Sequence, residues 1–242
     1  MNRLLICIIY VMIGAISFAQ KSSKVELARV DSVLELSYQS YAHMDIEGSL
    51  AHAIDALAIS EEINYSKGIA EGNFYIGQVL WNLGEYGSAL EHLEKSEKEP
   101  YVASDLLLTS EICRVKGRSY GSLKLHEMAV AEFQKGLNYI NKINTTFERE
   151  YLSILAYDNL AHSYFLQNMN DSAMYYLEKN NQLLSNSTEE RFFRSRVNLY
   201  GQLGKAFTKE GEYDMATSYF KEALSIAEEY SYPYTSWVYL QW

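Results

Sequence analysis

Cysteine and proline are nearly absent from this chain, with two of each among 242 residues. So few thiols exclude a disulfide-stapled scaffold and leave stability to burial. The prolines, Pro100 and Pro233, leave long stretches in which nothing forbids an uninterrupted helix. Basic residues are also short: 21 Lys and Arg face 31 Asp and Glu, a net charge of -10. That balance argues against broad nucleic-acid binding, which needs clustered cations against phosphates. Beyond residue 20 no apolar run reaches membrane-spanning length. Neither G-x-x-x-x-G-K-[ST] nor G-x-G-x-x-G occurs, and H-E-M-A-V at His126 lacks the second histidine of a zinc helix. His43, His52, His92, His126 and His162 show no metal-ligand spacing, and His92 and His126 read as solvated surface residues. No metal, small-molecule cofactor or enzymatic activity is expected.

What is present is apolar material for a core: 48% of residues are hydrophobic and 21% charged. Tyrosine is abundant, at 21 residues, and suits half-buried packing and interaction surfaces. The first residues, MNRLLICIIYVMIGAISFAQ, combine Arg3, an apolar run from Leu4 to Ile16, and small residues at Ser17 and Ala19. These are the parts of a secretory signal. Cleavage after Ala19 is expected, making residues 1–19 a signal peptide and the product exported, periplasmic or associated with the cell envelope. Cleavage also removes Cys7 and leaves Cys113 as the one thiol.

Internal periodicity dominates the rest. AEGNFYIGQVLWNLGEYGSALEHLEKS from Ala70, ILAYDNLAHSYFLQNMNDSAMYYLEKN from Ile154 and VNLYGQLGKAFTKEGEYDMATSYFKEA from Val197 align, and two weaker copies fill the gaps. A small residue recurs in a first helix at Ser37, Gly77, Gly117, Ala161 and Gly204. Twelve residues later a second helix carries Ser49, Ala89, Ala129, Ala173 and Ala216, and four further on stand Ala53, Leu93, Phe133, Leu177 and Phe220. Successive second-helix positions lie 40, 40, 44 and 43 residues apart (89−49, 129−89, 173−129, 216−173). Small residues let two antiparallel helices approach, and the large residue fills the groove between them. Gly84 and Gly211, with Asn168 in the fourth copy, stand where the intervening turn needs a permissive backbone. Ser187 and Glu190 read as a capping box opening the fifth copy.

This pattern resembles the tetratricopeptide repeat, W-x2-L-G-x2-Y…A-x3-F. The resemblance implies an all-α fold, a right-handed α-solenoid of about five stacked antiparallel helix pairs. Residues 20–230 form the solenoid, with repeats at about 30–65, 70–100, 102–143, 148–185 and 189–230. Residues 231–242 start an incomplete sixth repeat or a short closing helix, since the next small position falls near 244 (204+40). These repeats exceed the usual length of about 34 residues, which allows extra helical turns or longer connections. The third copy also departs from the pattern by placing Lys116 where an apolar residue belongs.

Residues 117–121, G-R-S-Y-G, match the G-x-S-x-G elbow that mounts a catalytic serine in α/β-hydrolases. That elbow follows a strand, but SEICRVK before Gly117 has helical spacing. The match is accidental, and Ser119 reads as a helical residue.

The resemblance places a ligand groove along the first helices. Carrying the register over gives Tyr38, Tyr41, Phe74, Gln78, Trp81, Asn82, Arg114, Arg118, Asp158, His162, Phe165, Lys205 and Lys209. Four cations, Arg114, Arg118, Lys205 and Lys209, thus fall on one side of an acidic chain. The expected partner is a protein or peptide, with acidic groups favoured by those cations. Phe74, Trp81 and Phe165 equally fit packing between repeats. Exported long-repeat chains resemble the periplasmic sensor portions of bacterial membrane regulators, implying a membrane-bound effector if this chain is a fragment. The alternative is a structural assembly factor of the envelope with no signalling output.

Overall fold

The computed structural model describes residues 24–187 and 190–230, so the signal-peptide reading and the expected sixth repeat lie outside the described residues. Every regular element among them is helical. The order is α1 (24–42), α2 (Ile46–Glu62), α3 (Ser66–Asn82), α4 (Tyr86–Glu97), a 3-10 turn (Pro100–Ser104), α5 (Leu106–Ser122) and α6 (His126–Ile140). Then follow α7 (Thr146–Leu166), α8 (Asn170–Asn186), a second 3-10 turn (Glu190–Phe192), α9 (Phe193–Glu210) and α10 (Tyr213–Glu229). No helix among the described residues is long and apolar enough to cross a membrane. The described residues divide into two compact units, with the boundary between Leu108 and Thr109.

In the first unit α1 pairs with α2 and α3 with α4. Ser37 is wholly buried and its Oγ donates to the Ser49 carbonyl at 2.9 Å. In the second pair Gly77 faces Leu93, where a Cβ would come within 2.8 Å of the Leu93 Cγ. Gly72 lets α3 close on α2 in the same way, its missing Cβ 3.1 Å from that of Leu57.

The second unit repeats the device with aromatic partners. A Cβ on Gly117 would stand 2.5 Å from the Phe133 ring, and one on Gly204 2.6 Å from the Phe220 ring. Phe133 and Phe220 are buried, as are Ala161 and Leu177 in the intervening pair. Lys116, out of pattern by sequence, is buried and its Nζ pairs with Glu132 Oε1 of α6 at 3.0 Å. Ser119 lies wholly buried within α5, its Oγ donating to the Val115 carbonyl at 2.9 Å, so it has neither exposure nor a strand before it.

A second line of contacts follows two helical turns later. At Ser96, Gly136 and Asn180 the second helix presses on the backbone of the first helix of its pair. Ser96 Oγ donates to the Ala70 carbonyl at 2.7 Å and Asn180 Nδ2 to that of Ile154 at 3.3 Å. A Cβ on Gly136 would lie 3.5 Å from the Ser110 carbonyl.

The turns inside the pairs share one closure. At Met44, Gly84, Lys124, Asn168 and Gly211 the backbone is left-handed, with φ between 58° and 83°. The following amide bonds back to a carbonyl five residues earlier, as in Glu85 to Leu80 and Met169 to Tyr164. This is the Schellman arrangement. Glycine and asparagine take that conformation readily, whereas Met44 and Lys124 are held in it by the closing hydrogen bonds. The extra repeat length goes into the helices, most of which run 17 residues or more, α7 reaching 21. One expectation fails: α9 starts at Phe193 without a side-chain cap, while Ser187 ends α8. The intervening 3-10 turn separates the serine from the helix it was expected to open.

Gly204→Ala should destabilise the chain by about 1–3 kcal/mol, because the enclosed Phe220 ring cannot yield. Gly87→Ala, with nothing within 4 Å of its added Cβ, should instead stabilise α4 by up to about 1 kcal/mol. Urea midpoints measured at unchanged slope test both; equal shifts for the two variants would show that close approach is not what holds the pair.

Candidate functional site

The first helices are long and parallel within each unit, so residues spaced by the repeat come side by side. In the first unit Tyr38 is exposed on α1 and Tyr41 half-buried one turn along. Asn82 Nδ2 donates to the Tyr41 hydroxyl at 2.7 Å and to the Gln78 carbonyl at 3.0 Å, tying α3 to α1. Gln78 and Trp81 are half-buried beside it. Phe74 is a core residue, 6% exposed and tilted against Tyr75 at 5.4 Å. His92, expected on a solvated surface, turns inward, and its Nδ1 lies 2.9 Å from Asn73 Oδ1.

The second unit gathers the charged candidates on α5, α7 and α9. Arg114 is committed locally. Its Nε and Nη2 grip the Glu111 carboxylate, with the shortest contact 2.6 Å, and its side chain is only 16% exposed. Arg118, one turn later, is half-buried and electrostatically coupled to Asp158 of α7. Gln202 Nε2 of α9 donates to Asp158 Oδ1. Burial pushes the Asp158 carboxyl up to about 6, against the lowering effects of the Gln202 hydrogen bond and the Arg118 charge.

One turn further along, His162 and Lys205 are exposed. Desolvation, then the charges of Lys205 and His126, lower the His162 pKa; desolvation, then Lys209, lower that of Lys205. Lys209 Nζ sits 5.4 Å from the centroid of the half-buried Phe165 ring. On α9, Lys205 and Lys209 are thus two mutually repelling cations, and α7 sets beside them the Phe165 ring and the His162 imidazole, whose lowered pKa favours its neutral form at pH 7. Such a surface gains free energy from an arriving anion.

Three contributors escaped the sequence reading: Glu111, Gln202 and His126. Glu111 stands three residues before Arg114 and was legible as an i,i+3 pair. Gln202 lies 44 residues after Asp158, a repeat-length offset that spacing alone suggests. His126 opens α6, and nothing local signals its closeness to His162.

Comparison with known proteins agrees with this architecture. Residues 197–230, covering most of α9 and all of α10, match the family described as Tetratricopeptide repeat. A search of curated proteins finds no match. Among solved structures, BtubC of P. vanneervenii is 15% identical with a TM-score of 0.69, covering 89% of this chain and 88% of its own. PilF of Pseudomonas aeruginosa is 17% identical with a TM-score of 0.60, covering 89% and 91%. A thermophilic TPR protein of Thermus thermophilus is 18% identical with a TM-score of 0.53, covering 82% and 92%. The paired helices are those of the tetratricopeptide-repeat fold, a scaffold suited to binding other proteins.

Asp158→Asn tests the electrostatics. A carboxyl with a raised folded-state pKa holds its proton more tightly when folded, so its contribution to stability falls as pH rises from about 4 to about 6. Asparagine removes that loss and offers an amide donor to Gln202 Oε1, which is buried without a partner among the described residues. The variant should gain about 1–3 kcal/mol over the natural chain at neutral pH, and much less below pH ~4. Thermal unfolding at the two pH values decides it; a gain of equal size at both would discard the assignment.

Proposed function

We propose that this chain is an exported binding module that captures an acidic protein segment along the first helices, as the sensor or interaction portion of a signalling protein. The observation that carries it is the cationic pair Lys205 and Lys209 beside the Phe165 ring and the His162 imidazole, on a chain whose net charge is -10. An extended peptide laid along parallel helices meets successive repeats with successive side chains, as other groove-binding modules meet theirs. Arg118 adds a cation on α5, while Arg114 is held by Glu111 and contributes through that pair. The export half of the reading rests on the N-terminal residues and predicts that product recovered from the cell envelope starts at Gln20. N-terminal sequencing that returns Met1 would remove it.

A labelled synthetic peptide of alternating Glu and Leu serves as probe for the groove. It should bind, weaken as salt rises, and lose several-fold affinity to the Lys205→Ala, Lys209→Ala double variant. Equal affinity for the natural and double-variant chains, with both folded by circular dichroism, would reject the cationic pair as the ligand site.

A further inference from the structure

The intra-pair turns of the second unit carry a surface that the groove reading leaves unused. α5 and α7 run parallel, since Ser110 and Arg114 share a small cavity of about 10 Å³ with Leu152 and Ala156. α7 and α9 also run parallel, as the Asp158–Gln202 and Phe165–Lys209 contacts require. The carboxyl ends of all three helices, and the turns that follow, therefore lie at the same end of the unit.

Each turn, with the helix ends beside it, exposes two large apolar side chains. Leu123 and Leu125 are 42% and 45% exposed, Leu166 and Met169 49% and 47%, and Tyr213 and Met215 67% and 45%. The left-handed position itself asks for glycine or asparagine; Leu125 and Met169, one residue later, stand where a Schellman closure often places an apolar contact, yet each keeps nearly half its surface exposed. Exposed apolar side chains at three successive turns, though at differing positions within each, gather into a patch at this end. Methionine and leucine, with their freely rotating side chains, adapt to an apolar partner of variable shape.

Charge indicates the partner. Glu127, Asp171, Glu210, Glu212 and Asp214 flank these turns, against Lys124 and Lys209. An acidic border around an apolar strip complements a helix whose apolar face is edged by lysine or arginine, and it repels anionic lipid. We propose that this edge docks a basic amphipathic helix of another protein. This edge meets the cationic pair on the first helices only at Lys209, and two oppositely charged surfaces would let the module join two partners.

The test uses the full chain and a labelled helical peptide of leucine and lysine, with a second peptide carrying glutamate for every lysine. The basic peptide should bind, and the acidic one should bind at least tenfold more weakly to the Lys205→Ala, Lys209→Ala chain, in which the groove no longer competes for it. Leu125→Ser, Met169→Ser and Met215→Ser together should lower affinity for the basic peptide at least tenfold. These side chains are exposed, so circular dichroism should show the variant folded. Lys205→Ala, away from the turns, should leave binding of the basic peptide intact, which separates this edge from the groove. Unchanged affinity in the triple-serine variant would overturn the proposal. So would sedimentation showing a dimer that the triple variant abolishes, which would assign the edge to a second copy. Recruitment to phosphatidylcholine vesicles that those serines remove would assign it to a lipid surface instead.

Discussion

Everything in this molecule depends on how closely two antiparallel helices approach within one pair. At Gly77, Gly117 and Gly204 the first helix lacks a Cβ, and the space is taken by Leu93, Phe133 and Phe220 of the second. The contact is steric before it is hydrophobic. A methyl group at those glycines would stand 2.5 to 2.8 Å from its neighbour, well inside van der Waals contact. Ser37 solves the same problem differently, using its hydroxyl to bond the opposing backbone where no large residue stands across. Close approach fixes the angle and depth of each pair, and that sets which residues of the first helices face outward. The candidate binding surface is thus a consequence of the packing.

That lock was legible because it rests on residue size at a fixed spacing, and size can be read directly from a sequence. The second line of contacts, at Ser96, Gly136 and Asn180, was hidden. Its occupants differ in polarity and volume, and what they share is the backbone they meet. The turns show the same divide. Gly84, Asn168 and Gly211 announce a left-handed residue through their chemistry, whereas Met44 and Lys124 adopt it because the helix on each side demands the closure. Lys116 looked like a flaw in the third repeat. Its buried partner Glu132, on the neighbouring helix, makes the position consistent with the fold, although such pairs contribute little net stability once desolvation is counted.

The candidate site was legible in its residue types and much less in its pairings. Register alone brought Asp158, His162, Phe165, Lys205 and Lys209 to one face. It left out the local i,i+3 pair in which Glu111 grips Arg114, and it could not say that Phe74 would sink into the core. Both outcomes follow from small angular differences on a helix, about 100° per residue, that decide whether a side chain reaches inward or out. A register error of one residue would exchange the two sets.

The distribution of charge then carries a physical consequence for binding. In a chain with ten more acidic than basic residues, counter-ions and cationic partners are drawn to most of the surface. Seating His162, Lys205 and Lys209 together costs energy: burial first, and then their neighbours' charges, lower the pKa values of His162 and Lys205. Phe165 under Lys209 partly offsets that cost without neutralising the charge, as a carboxylate would. The aromatic ring leaves the ammonium available to an incoming anion, whereas Glu111 withdraws Arg114 from that role. That difference between two cations, one resting on a ring and one locked to a carboxylate, is what the proposed ligand site depends on.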